Sequence, residues 1–469
     1  MDDSTPSSRF LPALLVLGAW LALVGLTVLP LARLALPIRL KPLDLLADVR
    51  VARPRLAGPS LAAPAPAAPV ASHRVRPLRA VPEDGGQPIE SAEPDALAGF
   101  EAALAESRRT ERPVRIAYMS DSVAEGDLIT QDLRVEFQRV FGGRGAGFLP
   151  IASDVARFRA TVGHTFSSDW QVVSLMDRKR PFPVGIAGVA FAPSCRRDPG
   201  GATVCAGWVE YRATSPRDGL RAFDGLRVYY SHAETGTTLD CAWDGKTPIR
   251  IDLEAGPVVH EAVLIAGSPA KTVRLAFAGP APLRIYGAAW DGPSGVTVDS
   301  LPLRGHSGLA LTEIPADVLQ AFDRLRHYDL VVLHYGVNVT SPDTDDVPWY
   351  QDGMERAIAH LRGNLPGSSL LVVSVSDRSY KPADDYETIP CVPHIVERQR
   401  RAAARGHAAF WNLFAAMGGE GSMLDWVRHD PPLAALDYTH FSVAGSRRVA
   451  VALFRGLMAD YRKFDRRAD

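Results

Sequence analysis

The chain has 469 residues, long enough for more than one domain, and its 52 Lys and Arg against 53 Asp and Glu leave a net charge of −1. That balance, with no basic run in the part that can fold, argues against a nucleic-acid partner. Neither a Cys-x-x-Cys pair nor a His-Glu-x-x-His motif occurs, so the sequence suggests no metal site and no cofactor.

In chain order, residues 10–32 come first as an uncharged stretch rich in Leu, Val and Ala. At a rise of about 1.5 Å per residue it is long enough to cross a hydrocarbon core of about 30 Å. A secretory signal peptide usually has a shorter apolar region and a small-residue cleavage site. The expectation is therefore an uncleaved single-pass signal anchor over residues 1–34. Arg33, Arg39 and Lys41 follow the span, which by the positive-inside tendency favours a cytoplasmic C-terminus, but large domains translocate largely regardless of flanking charge. Together with the substrate argued below, this places the anchor in the inner (cytoplasmic) membrane and the catalytic part on the periplasmic side. Residues 35–95 read as a linker. Ala and Pro dominate 56–81, a composition that builds no core and behaves as an extended spacer.

Residues 96–160 read as the first part of an α/β domain. A short helix carries Leu97, Phe100 and Leu104, a strand covers 114–119, and the turn Ser120-Asp121-Ser122 leads into a helix marked by Leu128, Leu133, Phe137 and Val140. From 161 to 295 the pattern changes to short alternating strands punctuated by Gly and Pro, the signature of an inserted all-β sandwich. Within it Trp170, Trp208, Trp243 and Trp290 suit core packing for the most part, with stacking on sugar rings as the alternative role. Cys195 and Cys205 flank a short polar segment; a disulfide and a pair of free loop thiols are both open readings. From 296 to 469 strands and helices alternate again. Strands are expected over 296–303, 330–335, 370–375 and 408–413, and helices at Met354, Ala357, Ile358 and Leu361 and over 395–404. Such alternation argues for a parallel sheet covered on both faces, with chemistry at the C-terminal strand ends.

Three residue types in this order carry a chemistry. A serine hydroxyl is a poor nucleophile at neutral pH and needs an imidazole to take its proton. The imidazole in turn needs a carboxylate to set its tautomer and stabilise the imidazolium. Asp437-Tyr438-Thr439-His440 offers a base with its orienter on one short turn, and Ser122 offers the hydroxyl. Taken singly each residue has a plainer reading. Ser122 caps a helix, Asn338 sits in a turn, Gly305 is a loop glycine and His440 is a polar residue at a helix start. His334, inside an apolar strand, reads as a packed residue and not a ligand.

The segments between Ser122 and His440 resemble, in order, the blocks of the SGNH (GDSL-type) hydrolases. They are Ile116-Ala117-Tyr118-Met119-Ser120-Asp121-Ser122, then Leu303-Arg304-Gly305-His306-Ser307-Gly308, then Val331-Val332-Leu333-His334-Tyr335-Gly336-Val337-Asn338, and last Asp437-Tyr438-Thr439-His440-Phe441-Ser442. The resemblance implies Ser122 as nucleophile, His440 as general base and Asp437 as its orienter. It implies an oxyanion hole of the Ser122 and Gly305 N–H groups and the Asn338 amide, and a flavodoxin-like three-layer fold. The chain departs from the family at Ser120, where glycine is usual, and at Val339, where an acidic residue often stands. A β insertion at this point, the run Phe141-Gly142-Gly143-Arg144-Gly145-Ala146-Gly147-Phe148-Leu149-Pro150 and Ala416-Met417-Gly418-Gly419 look like those of SGNH peptidoglycan O-acetylesterases, whose insertion is carbohydrate-module-like. The expected function is therefore a serine esterase removing O-acetyl groups from an envelope polysaccharide such as peptidoglycan. The alternatives are an O-acetyltransferase using the same triad and a non-catalytic anchored glycan-binding protein.

Overall fold

The computed structural model describes residues 86–468 apart from 198, 202 and 216–219. The anchor expected over 1–34 and most of the expected linker lie outside the described residues. Among those described, no helix is long and apolar enough to cross a membrane.

Six strands form the sheet that carries the site: β1 (Ile89–Glu90), β2 (Pro113–Ser120), β3 (Gly295–Pro302), β4 (Leu330–His334), β5 (Ser369–Val373) and β6 (Ala409–Trp411). Their spatial order is β1-β6-β5-β4-β2-β3, and all run parallel except β1, which is antiparallel at the edge. Strands β4 and β5 are buried along their whole length, as apolar strands covered on both faces must be. The main helices are α1 (Ala98–Ser107), α2 (Leu128–Phe141), α3 (Ala316–Leu325), α4 (Pro348–Asn364), α5 (Cys391–Arg405) and α6 (Val443–Ala468). Helices α1, α2 and α6 pack through an edge-to-face cluster of Phe100, Phe137 and Phe454. Helix α4 packs against both α3 and α5. The result is the expected mixed α/β architecture.

After β2 the sheet grows outward to β3 on one side, then from β4 to β6 on the other. The connections therefore diverge between β2 and β4. In an open α/β sheet a crevice forms there, beyond the carboxyl ends of the strands. Ser122 follows β2 and Asn338 follows β4, so the fold delivers both to that crevice. Ile89–Glu90, inside the stretch read as linker, instead belong to the sheet: Ile89 pairs with Trp411, whose indole N–H donates to the Gln87 carbonyl at 3.2 Å. A two-residue strand is too short to show a period, so no sequence pattern announces it.

Between α2 and β3 lie two antiparallel sheets. One takes Ile249–Asp252, Thr238–Trp243, Thr272–Gly279, Thr203–Ala213 and Val162–Phe166 in spatial order. The other takes His260–Ala270, Phe223–Ser231, Arg284–Trp290, Val189–Pro193 and Trp170–Ser174. They enclose one apolar core, to which Val209, Leu239 and Phe277 come from the first sheet and Phe191, Leu226 and Ile285 from the second. Trp243 and Trp290 are buried in that core, whereas Trp170 and Trp208 are half-buried, with the Arg274 guanidinium 3.7 Å over the Trp208 ring. Cys195 and Cys205 face each other across a strand pair and form a disulfide.

The glycine-rich run after α2 has a packing reason. It threads the backbone against β3 and the strand before it. A Cβ on Gly145 would lie 2.1 Å from the Trp290 carbonyl oxygen, and the residue sits at φ +89°. Gly145→Ala should therefore cost about 2 kcal/mol or more, from the clash and the left-handed backbone together. A urea midpoint unchanged from wild type would show that this contact does not constrain the fold.

A buried ion network joins this region to the sheet. Arg326, just before β4, donates from Nε and Nη2 to Asp299 on β3 at 2.5 and 2.7 Å and from Nη1 to Asp291 at 3.3 Å. Asp299 also accepts the Tyr328 hydroxyl at 2.7 Å and the Phe148 N–H at 3.0 Å, and Asp291 accepts Arg115 Nε at 2.8 Å. Burial alone would lower the Arg326 pKa, but the two carboxylates hold it well above its ordinary value.

Candidate active site

The nucleophile turn is built by a cap. Asp121 ends the extended run of β2, and its side chain accepts the Val123 N–H at 3.1 Å, starting the 3-10 turn Ser122–Asp127. The capping leaves Ser122 as the first residue of the turn, half-buried with its hydroxyl free of the helix ladder. Ser120, where the related blocks usually have glycine, is fully buried at the end of β2, in register with Pro302 and His334. It is an ordinary strand residue, so the position makes no demand that serine fails to meet.

The Asp437–His440 turn precedes α6 and meets Ser122 from 318 positions away. Ser122 Oγ lies 2.8 Å from His440 Nε2, and His440 Nδ1 lies 2.5 Å from Asp437 Oδ2. The other carboxylate oxygen of Asp437 accepts the N–H groups of Thr439 and His440, both at 3.0 Å. With its carboxylate facing Nδ1, the ring keeps its proton there and presents Nε2 as acceptor to the serine hydroxyl. Burial pushes Asp437 up, but these hydrogen bonds and the neighbouring imidazole outweigh it and hold the carboxyl below its usual range.

The remaining predicted residues close on the same point. Leu303 N–H donates to the Ser120 carbonyl at 2.8 Å, tying the loop after β3 to the strand that leads into the nucleophile turn. Two residues later Gly305 sits at φ +76°, a conformation glycine adopts at no steric cost, and among the described residues its N–H has no acceptor. Asn338 Nδ2 donates to Asp121 Oδ2 and to the His306 carbonyl, both at 3.1 Å. Both partners are acceptors, which sets the orientation of the amide. The structure thus brings together Ser122, His440 and Asp437 directly, and ties Gly305 and Asn338 to the same loops. His334 is buried, with Nδ1 2.9 Å from the Tyr118 hydroxyl, in keeping with a packed role.

Two features have no counterpart in the sequence reading. Arg304 pairs with Glu125, joining the loop before Gly305 to the turn after Ser122. Beside this pair a cavity of about 320 Å3 opens between residues 125–127, the end of β3 and the insertion, whose Val172, Met176 and Val189 form the far wall. The Met176 methyl group reaches the glycine loop, 3.4 Å from where a Cβ on Gly305 would be. The second feature is the buried Asp121, whose pKa is pushed up to about 7 by burial, against the opposing hydrogen bonds from Val123 and Asn338.

Because that folded value lies above an unfolded one of 3.8, the native state holds a proton that the unfolded chain has released between those two pH values. The contribution of Asp121 therefore falls as pH rises through that window and is smallest above pH 7. Chemical-denaturation midpoints at pH 5 and pH 8 should fall further for wild type than for Asp121→Asn. Equal falls would remove Asp121 from the account.

Among the described residues no cluster of His, Cys, Asp and Glu could hold a metal ion. Residues 274–448 match the model of the GDSL-like Lipase/Acylhydrolase family, a span holding the last three blocks but not the first, Ile116 to Ser122. Among solved structures, a peptidoglycan O-acetylesterase superposes with a TM-score of 0.63 at 22% identity, covering 80% of this chain and 99% of that one. A salicylyl-acyltransferase from a tetracycline biosynthetic pathway aligns at 14% identity over 62% of this chain and 98% of that one, with a TM-score of 0.27. A family two carbohydrate esterase from Clostridium thermocellum aligns at 10% over 58% and 98%, with a TM-score of 0.26. No curated protein sequence matches the chain. The chain thus carries a segment similar to GDSL-like acylhydrolases within a fold shared with a peptidoglycan O-acetylesterase, which supports a carboxylic ester hydrolase.

Proposed function

We propose that the chain is a serine esterase that removes O-acetyl groups from an envelope polysaccharide such as peptidoglycan. The observation that carries this reading is the unbroken contact from Ser122 Oγ to His440 Nε2 at 2.8 Å and from His440 Nδ1 to Asp437 at 2.5 Å. In the proposed cycle Ser122 Oγ attacks the acetyl carbonyl carbon while His440 Nε2 takes its proton. Negative charge develops on the carbonyl oxygen and is met by the N–H groups of Ser122 and Gly305. The sugar oxygen then leaves with the proton from His440, and acetyl-Ser122 remains. Water, deprotonated by the same imidazole, attacks the acetyl group; acetate departs and Ser122 regains its proton.

Asn338 is the proposed third oxyanion donor. Its two long bonds to Asp121 and His306 hold it in place, and the growing negative charge competes for one of its amide hydrogens. Asn338→Ala should lower kcat by roughly 10²–10³ with a smaller change in KM, because the donor acts on charge present only in the transition state. A change confined to KM would make Asn338 a substrate-binding residue instead.

The His440 side chain is 37% exposed, which supports water, rather than a sugar hydroxyl, as the acetyl acceptor. The inserted sheets, as a carbohydrate-module-like part, border the cavity beside the nucleophile turn, which supports a role in holding a polymer near Ser122. An inner-membrane anchor over 1–34, with the enzyme on the periplasmic side, fits such a substrate and belongs to the same proposal. The test is to supply acetylated cell wall and measure free acetate. Acetate release supports the reading, acetylated acceptor without acetate favours the transferase, and no turnover of either this or an aryl acetate leaves a binding protein.

A further inference from the structure

We propose that Arg378 is a positioning residue that holds the imidazole-bearing turn and the Asn338 loop at a set separation; this rests on the esterase reading above. The base and the oxyanion donor stand on loops far apart in sequence. The Asn338 loop follows β4, and the Asp437–His440 turn precedes α6. Arg378 touches both. Its Nε donates to Thr439 Oγ1 at 3.1 Å, and its Nη1 donates to the Val337 carbonyl at 3.1 Å and to Thr340 Oγ1 at 2.6 Å. Thr439 is the residue before His440, and its own hydroxyl donates to the Asp437 carbonyl at 3.1 Å. Val337 and Thr340 bracket Asn338. One planar side chain thus spans the gap between the two halves of the catalytic machinery.

The bracket is itself anchored. The Arg378 N–H donates to Asp377 Oδ1 at 2.9 Å, and its carbonyl accepts the Ile389 N–H at 2.9 Å. Asp377 is fully buried and also accepts the Thr388 hydroxyl at 2.8 Å and the Met423 N–H at 2.7 Å. Arg378 therefore starts from a backbone with little freedom. The hairpin that follows it grips the same turn a second time. Ser379 N–H donates to the Tyr438 carbonyl at 3.2 Å, and the Tyr386 ring stacks on Tyr438 with centroids 3.7 Å apart and planes 14° apart. Tyr438, between Asp437 and His440, sits at φ +55°, a conformation that bulky residues avoid unless their surroundings impose it.

The physical consequence lies in alignment. A misplacement of about 1 Å between reacting groups can cost about 10²-fold in rate without any loss of substrate affinity. The guanidinium suits this task because its donors are fixed in one plane, whereas a lysine offers a single ammonium on a flexible stem. Among the described residues Arg378 makes no hydrogen bond to Ser122 or to the Gly305 loop, and its bonds reach the site through Thr439, Val337 and Thr340.

The test uses the full chain and an aryl acetate. Arg378→Ala should lower kcat about 10²-fold while KM stays within a few-fold. Guanidinium added well below denaturing concentration should recover part of that kcat, and sodium chloride at equal ionic strength should not. Arg378→Lys should fall between wild type and Arg378→Ala. Thr439→Val and Thr340→Val each remove one acceptor while keeping the side-chain shape. Each should lower kcat several-fold, and combining them should do no more than Arg378→Ala, because all three break one bracket. If Arg378→Ala does not fold, these two variants decide the matter. The proposal is overturned if kcat is unchanged in the folded variants, or if its loss follows thermal stability and guanidinium does not relieve it. A wild type with no Ser122-dependent turnover would instead overturn the esterase reading.

Discussion

Ser122→Ala should abolish turnover of an aryl acetate, by about 10⁴-fold or more, and His440→Ala should match it. Without Oγ there is no acyl-enzyme, and without Nε2, 2.8 Å away, the hydroxyl keeps its proton. Members of such a unit give losses that do not add, so the double variant should be no worse than either single one. Asp437→Ala should be milder, by one to two orders of magnitude. Its side chain is 49% exposed, so water can take over part of its role in orienting the imidazole. Ser122→Ala removes one oxygen from a half-buried position and should unfold at the wild-type temperature, which separates loss of chemistry from loss of fold. Steady-state rates of the four variants would decide it, and wild-type-like turnover in Ser122→Ala would overturn the assignment.

Arg326→Met should destabilise the protein by roughly 3–5 kcal/mol, because it leaves buried carboxylate charge without its cation. The Arg326 and Asp299 side chains are both fully buried. In the variant Asp291 keeps Arg115, but Asp299 keeps only the Tyr328 hydroxyl and the Phe148 N–H. Arg326→Met with Asp299→Leu should recover part of the loss, since an apolar pair of similar volume often replaces a buried ion pair at little cost. Recovery should be incomplete because Tyr328 and Phe148 then lose their acceptor. Urea midpoints of the single and double variants measure both effects, and a single variant within 1 kcal/mol of wild type would contradict this view of the network.

Where the sequence was readable, local pattern and final structure coincide. The apolar runs at 330–335 and 370–375 became β4 and β5 because a strand covered on both faces needs no alternation. The alternating segments between 161 and 295 became antiparallel strands because each has one face on a shared core. The catalytic candidates were legible only together: Ser122, Gly305, Asn338 and the Asp437–His440 pair each have a plainer use alone, and the order of the blocks that hold them carried the reading. What stayed hidden depends on tertiary contact. Arg378 is one arginine after an apolar strand, and nothing local tells it from a solvated one until Thr439 and Thr340 arrive from elsewhere. Arg304 and Glu125 are likewise unremarkable charges until the sheet brings β2 and β3 together. Asp121 reads as the middle of a turn, and only its burial gives it an unusual affinity for a proton.

The reaction of the native chain with a serine-reactive phosphonate, followed by peptide mapping, tests the central claim most directly. Such a reagent labels the serine whose hydroxyl is activated by a base and whose adduct oxygen is met by preorganised donors. The account predicts a single modified serine at Ser122, with labelling lost in Ser122→Ala and slowed strongly in His440→Ala. Labelling at any other serine, or none in a protein that hydrolyses the aryl acetate, would contradict it.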